Sequence, residues 1–328
     1  MRTGFESLKR GSFLARLQYR LLKLGSALLS SQRRDALRAS FCKLVRHRPG
    51  FCRRVSEWGL NRSLRTPRIV VSLTSYPKRI KTVHRTIETL LTQTFKPDAV
   101  ILWLGEEKFP DREKDLPVTL LRLKAFGLTI EWCPDIRSYT KLVPSLRKYP
   151  NDVIVTADDD MFYRPDWLER LHASYVKDPD VIHCHLVNEI KVVNDVVQTY
   201  PSWSFDRVRG RQTFGNLLMG VCGVLYPPHA LAAEVTDEAK FLKLSPAADD
   251  LWFWAMAVLN GRKIKLAEEA FCEMVGDCAA DNSEALMNID LGPQCLNDSQ
   301  LAAILDAYPI VRQRLFESKR QDVMTSKA

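Results

Sequence analysis

Between Arg68 and Ala157, short β-branched runs alternate with stretches of helical period, and this alternation restricts the possible folds more than any other feature. Arg68–Ser75 (RIVVSLTS), Ala99–Leu104 (AVILWL), Leu128–Trp132 (LTIEW) and Val153–Ala157 (VIVTA) read as strands. Ile80–Thr94 carries apolar residues at 80, 83, 87, 90 and 91, a helical period that stops before Pro97. Leu116–Phe126 and Thr140–Lys148 read as two further helices. The resulting β-α-β-α-β-α-β order, with short connections, predicts a mostly parallel sheet covered by helices on both faces. Ligands of such sheets sit beyond the carboxyl ends of the strands. Ser72–Arg79, Asp135–Lys141 and Asp158–Asp160 fall at those ends.

Asp158-Asp159-Asp160 follows an apolar strand directly. Three adjacent carboxylates repel, so they need a cation, an arginine or open water. Alternation along extended backbone turns Asp158 and Asp160 to one side, where they could share a divalent ion. Oxygen-only ligation suits Mg²⁺ or Mn²⁺ that also carries substrate phosphates. A second acidic pair, Asp249-Asp250, precedes the apolar run LWFWAMAVL and marks a helix N-terminus. There an Asp can cap the helix, or act as a general base. His183-Cys184-His185 has no further ligand pair near it in sequence and is read as core or surface histidine rather than zinc site.

Charge divides the chain. Residues 1–68 hold 17 Lys/Arg against three acids, whereas the remainder has 31 basic and 36 acidic residues. Phe13, Leu14, Leu17, Leu21, Leu22, Leu24, Leu28 and Leu29 lie among the arm's cations at near-helical spacing. Such a basic helical arm either rests on an anionic membrane surface or packs on the body. Leu24–Gln32, its longest uncharged stretch, is too short to span a bilayer. No nucleic-acid-binding motif follows it. Gln212–Ala233 is uncharged and long enough to span, but Gly215, Gly220, Gly223 and Pro227-Pro228 favour a glycine-rich loop, a strand and a turn. The eight cysteines form no CxxC pair and are expected as reduced thiols of a cytoplasmic protein, held peripherally at the membrane where the arm binds it.

Three segments carry a resemblance. VIVTADDDMFYRPDWL (153–168) resembles the Asp-X-Asp segment of GT-A-fold nucleotide-sugar glycosyltransferases of the family 2-like group. VVSLTSYPKR (70–79) is similar to the first strand and nucleotide loop of a bacterial subgroup that builds surface polysaccharide or lipopolysaccharide. PAADDLWFWAMAVLNG (246–261) is similar to the acidic pair that opens a late helix. The resemblance covers roughly residues 68–265 and implies a GT-A-like (Rossmann-like) catalytic domain at 67–270. A basic arm (1–66) would precede it, and a C-terminal segment (271–328) would pack near the acceptor.

The resemblance implies metal-dependent transfer, with inversion, from a nucleotide-sugar donor to a glycan or lipid-linked acceptor. Asp158 and Asp160 would bind the metal, and Asp158 and Asp159 the donor. Ser72, Thr74, Tyr76 and Arg79 would line the nucleoside pocket, with Lys141 neutralising donor phosphate. Asp250, or Asp249 beside it, would be the base. The family often has Glu before this Asp, which leaves the choice within the pair open. Trp203 and Asn216 are expected at the acceptor; Arg207, Arg209 and Arg211 either meet an anionic acceptor or donor phosphate or form an exposed basic loop. A metal-dependent phosphohydrolase and a non-catalytic membrane-associated scaffold stand as the alternatives.

Overall fold

The computed structural model describes residues 58–205, 209–270, 276–277 and 296–325. The expectations for the arm at residues 1–57, and for Arg207, lie outside the described residues.

The alternation at 68–157 folds as the sequence predicts. Its strands are β1 (Ile69–Thr74), β2 (Ala99–Gly105), β3 (Leu128–Cys133) and β4 (Val153–Thr156). Between them run α1 (Val83–Leu91), α2 (Val118–Leu121), continued as a 3₁₀ turn to Phe126, and α3 (Val143–Lys148). The helix expected from Thr140 starts later, because Pro144 favours a helical first turn and residues 137–141 form a separate 3₁₀ turn.

The second half begins with α4 (Trp167–Lys177), followed by β5 (Ile182–Cys184), β6 (Val187–Glu189) and the small hairpin β7 (Val192–Val193) and β8 (Val196–Val197). Next come β9 (Ser204–Phe205), β10 (Gln212–Thr213), β11 (Asn216–Leu218) and β12 (Val224–Tyr226). The chain continues through α5 (Glu238–Leu244), α6 (Asp249–Leu259), β13 (Ile264–Leu266), α7 (Leu296–Ala307) and α8 (Pro309–Thr325).

Eight strands form one sheet in the order β10-β13-β5-β12-β4-β1-β2-β3. β1 pairs in parallel with β2 and β4, β2 with β3, and β13 with β5. β12 runs antiparallel between β4 and β5, and β10 antiparallel to β13. β11, β6 and β9 make a separate three-stranded sheet. The fold is therefore mixed α/β with a mostly parallel central sheet.

Period-2 alternation on β1 sorts the core into two layers. Ile69, Val71 and Leu73 face α1 and α4, packing on Val83, Ile87, Leu90, Trp167 and Leu171. Val70 faces the other way, into the layer that holds α6 and the C-terminal helices. Leu251 to Val258 of α6 are all buried, as expected of a helix apolar on every side. Arg314 of α8 donates to the carbonyls of Val258 and Leu259 at 2.6 and 2.9 Å and closes the C-terminus of α6.

Residues 58–66, assigned to the arm from sequence, pack on this body. Trp58 meets Phe126 edge-on, and Asn61 and Arg65 both bind the Asp98 carboxylate. No helix among the described residues is long and apolar enough to cross a membrane. Cys222 is disulfide-bonded, while Cys133 and Cys184 are free. The expectation of eight reduced thiols is thereby corrected.

Candidate active site

Strand β4 ends at Thr156, and its continuation carries the three aspartates to the carboxyl edge of the sheet. Asp159 turns inward, accepting hydrogen bonds from Ser75 Oγ at 2.6 Å and Arg79 Nη1 at 2.7 Å. Asp158 and Asp160 stay half-buried on the open side. The segment is locked by Thr86 Oγ1 donating to the Asp159 carbonyl and by the Asp158 amide donating to the Tyr163 hydroxyl. Residues 276–277 cross the same edge, where the Asp277 amide donates to the Asp160 carbonyl and Arg85 holds the Asp277 carboxylate.

Two side-chain cations serve these acids. Arg79 spans Asp159 and Asp160, its Nη2 lying 3.1 Å from Asp160 Oδ2. Lys141 Nζ lies 3.3 Å from Asp158 Oδ1 and 3.0 Å from Asp249 Oδ2. One buried ammonium thus joins the strand-end cluster to the acidic pair at the start of α6. Its backbone is anchored on two sides. Ser72 Oγ donates to the Lys141 carbonyl at 2.6 Å, and the Tyr139 hydroxyl donates to the Ser245 carbonyl just ahead of α6.

Asp250 sits beneath the loop that enters β12. The Gly220 amide donates to Asp250 Oδ2 at 3.0 Å, while Oδ1 is buried without a hydrogen-bond partner among the described residues. That loop rests on α4. Trp167 Nε1 donates to the Cys222 carbonyl, and Gly223, at φ +97°, lies where an added Cβ would come within 2.5 Å of the Trp167 ring. Only glycine meets both conditions.

Five carboxylates therefore face two cations. Burial pushes the Asp160 carboxyl up to about 7 against the pull of Arg79. Burial and the neighbouring Asp249 raise Asp250 to about 7, against Lys141 and the Gly220 amide. Burial opposes the Lys141 charge, yet Asp158, Asp249 and Asp250 hold its pKa well above the ordinary lysine value.

Among the described residues no three His, Cys, Asp or Glu side chains form a ready metal cage. Hard divalent ions need less than that, because one or two carboxylates suffice when substrate phosphates complete the shell. The carboxylate excess and the oxygen-only donors at Asp158 and Asp160, half-buried on the open side, fit such an ion.

The other residues singled out from sequence fall into two groups. Thr74, the last residue of β1, and Tyr76 just beyond it are half-buried. Thr74 Oγ1 donates to the Trp103 carbonyl, and the Tyr76 ring lies 5.3 Å from the Arg79 guanidinium. Ser72, Arg79 and Asp159 are buried and bind one another's neighbourhood rather than an open pocket. In this arrangement they support Lys141 and Asp160. Trp203 is buried with its indole N–H on the Gln198 carbonyl, and Asn216 is buried with Nδ2 on the Ile264 carbonyl. Both side chains hold neighbouring main chain in this way. Arg211 binds Glu189 and Asp322, and Arg209 the Glu268 carbonyl. His183 and His185 bind Ser174 and the Trp167 carbonyl from inside the core.

Sequence reasoning missed Ser75, Tyr163, Trp167 and Gly220. Only Gly220 left a signal, as part of the glycine-rich loop.

No known protein family matches the chain, and no curated protein matches it. Solved structures give distant likenesses. Residues 1–349 of TarS from S. aureus share 14% identity at a TM-score of 0.41, over 62% of this chain and 58% of that one. The mannosyltransferase PcManGT from Pyrobaculum calidifontis, in complex with GDP-Man and Mn²⁺, shares 15% at 0.39, over 79% and 68%. A CMP:2-keto-3-deoxy-manno-octonic acid synthetase complexed with CTP shares 13% at 0.36, over 73% and 99%. This chain spans little more than half of the TarS fragment. Likenesses this distant assign no function to it.

Proposed function

We propose that the chain is a glycosyltransferase of GT-A type, moving a sugar from a nucleotide-diphosphate sugar to an acceptor hydroxyl on a glycan or lipid-linked glycan. The observation that carries this reading is the pairing of two acidic sites across Lys141 at the carboxyl ends of the parallel strands. One site suits a donor diphosphate and the other an acceptor.

Asp158 and Asp160 would hold a Mn²⁺ or Mg²⁺ ion, which when bound draws negative charge from the leaving nucleoside diphosphate. Asp250 is the base. Its Oδ1 has no partner among the described residues and so keeps a lone pair for the acceptor proton, while the Gly220 amide fixes Oδ2. As Asp250 takes that proton, the acceptor oxygen bonds to the anomeric carbon. The bond from that carbon to the diphosphate oxygen breaks, and its electron pair leaves with the diphosphate. One such in-line displacement inverts the anomeric centre. The basic arm would bring the enzyme to an anionic membrane that presents a lipid-linked acceptor.

Release of nucleoside diphosphate from a panel of UDP- and GDP-sugars, with Mn²⁺ present, tests the reading. Wild-type protein should turn over one donor, and Asp160→Ala should reduce that turnover to background while keeping its melting transition. Undiminished release by Asp160→Ala, or phosphate release from simple esters by the wild type, would contradict it.

A further inference from the structure

Besides Lys141, a second connection joins the strand-end aspartates to Asp250, through the core layer that holds α1 and α4. Residues 163–168 lead into α4 and are clamped by α1 and the turn after it. Buried Gln93 donates to the Arg164 carbonyl at 2.8 Å and accepts from the Leu168 amide at 3.0 Å. The Tyr163 amide donates to Thr89 Oγ1 at 3.2 Å. On this clamp stand the rings of Tyr163 and Trp167, with centroids 4.6 Å apart. Each ring turns its polar atom to a different part of the site. The Tyr163 hydroxyl accepts from the Asp158 amide at 2.8 Å, and Trp167 Nε1 donates to the Cys222 carbonyl at 2.8 Å. Cys222 lies in a turn closed by the Gly223 amide on the Gly220 carbonyl at 2.9 Å, and the Gly220 amide holds Asp250. His185 ties the same parts again. Its Nε2 lies 2.9 Å from the Trp167 carbonyl, and its amide donates to the Gly223 carbonyl at 3.4 Å.

We propose that Tyr163 and Trp167 form a strut that sets the spacing of the donor carboxylates from the base. Tyr163 positions Asp158, and Trp167 positions Asp250 through the turn at 220–223. Buried rings packed on all sides hold their polar atoms at a fixed separation. Apolar packing alone asks for neither the hydroxyl nor the indole N–H, yet each is spent on main chain of the site. Neither ring touches a reacting group, so both are positioning residues. Because each ring serves one end, the ends are separable. A merely structural pair would impair both sites alike when either ring is changed. The inference rests on the donor and base sites proposed above.

The experiment compares the wild type, Tyr163→Phe and Trp167→Phe in the full chain. Its readouts are calorimetric titration of Mn²⁺ with UDP or GDP present, the pH profile of kcat/KM for donor turnover, and hydrogen exchange at residues 219–223. Tyr163→Phe leaves the Asp158 amide without its acceptor and should weaken Mn²⁺ binding about tenfold, with the pH profile in place. Trp167→Phe should leave Mn²⁺ affinity unchanged, quicken exchange at 219–223 and lower kcat roughly tenfold. It should also move the acid limb to higher pH, because a carboxylate that loses the Gly220 amide ionises less readily. The other groups around Asp250 are Asp249, Lys141, Asp158, Tyr139, Cys184 and Tyr226, and the substitution replaces none of them. Equal loss of Mn²⁺ affinity in both variants, or an acid limb that Trp167→Phe leaves in place, would overturn the proposal. If Trp167→Phe shows no melting transition, Tyr163→Phe decides alone: unweakened Mn²⁺ binding or a shifted acid limb would overturn the strut. A wild type that binds no Mn²⁺ or turns over no donor would remove the proposed function, and exchange would still read the strut. Equal exchange at 219–223 in all three proteins would then overturn it.

Discussion

Asp250 and Asp160 share a raised carboxyl pKa but carry different consequences. For Asp250 to act as a base it must be ionised, so its value of about 7 places the gain of activity near neutrality. The logarithm of kcat/KM should rise with pH on the acid side and level off above about 7. Asp250→Asn should lower kcat by about 10²–10⁴-fold while donor binding persists, measured as donor-dependent turnover beside nucleotide titration. An unchanged kcat would move the base to Asp249. Asp160 tells on stability. Its folded pKa lies above the unfolded value, so the folded state binds more protons, and this group stabilises less as pH rises through 4–7. Asp160→Asn should therefore raise the melting temperature of the cation-free protein at pH 8, by roughly 2–4 °C, and change it much less at pH 5.

At the scale of elements, helix α6 is held at both ends, by Lys141 and Gly220 at its acidic N-terminus and by Arg314 at its carbonyls. The loop above it separates two kinds of glycine. A methyl on Gly223 would meet the rigid Trp167 ring at a positive φ, so Gly223→Ala should destabilise by about 3 kcal/mol in chemical denaturation. A methyl on Gly220 would meet only the movable ends of Lys141 and Asp250. Gly220→Ala should cost little stability yet lower turnover roughly tenfold or more, because it displaces the base. A larger stability loss at Gly220 than at Gly223 would contradict this division.

The same elements show how much was legible beforehand. β1 to β4 and the helices between them were readable, since β1, β2 and β4 are buried on both faces and each apolar run is bounded by turn residues. Asp158, Asp160, Asp249, Asp250 and Lys141 were readable because charges placed at strand ends and helix starts need partners. The direction of each side chain was not. Ser72 and Thr74 lie two apart on one strand, and nothing local reveals that Ser72 meets the Lys141 carbonyl and Ser145 from 69 and 73 residues away. Trp203 and Asn216 were expected at the acceptor, and nothing local reveals that tertiary packing buries both. The antiparallel insertion of β12 between β4 and β5 is likewise a long-range choice.

For the whole molecule, the mostly parallel sheet brings residues from three strand ends and from α6 to one edge. That edge gathers acid far in excess of base, on a body whose sequence from residue 69 onward is mildly acidic. The net positive charge lies in residues 1–57, outside the described residues. The central claim is that this edge is a donor site for a nucleotide-diphosphate sugar and a divalent cation. Thermal unfolding of the wild type and Asp158→Asn, with a panel of nucleotide sugars in the presence and absence of Mn²⁺, tests it most directly. The account predicts that one donor raises the melting temperature of the wild type only when Mn²⁺ is present, and that Asp158→Asn loses that rise. A rise that needs no Mn²⁺, a rise that Asp158→Asn retains in full, or none with any donor would contradict it.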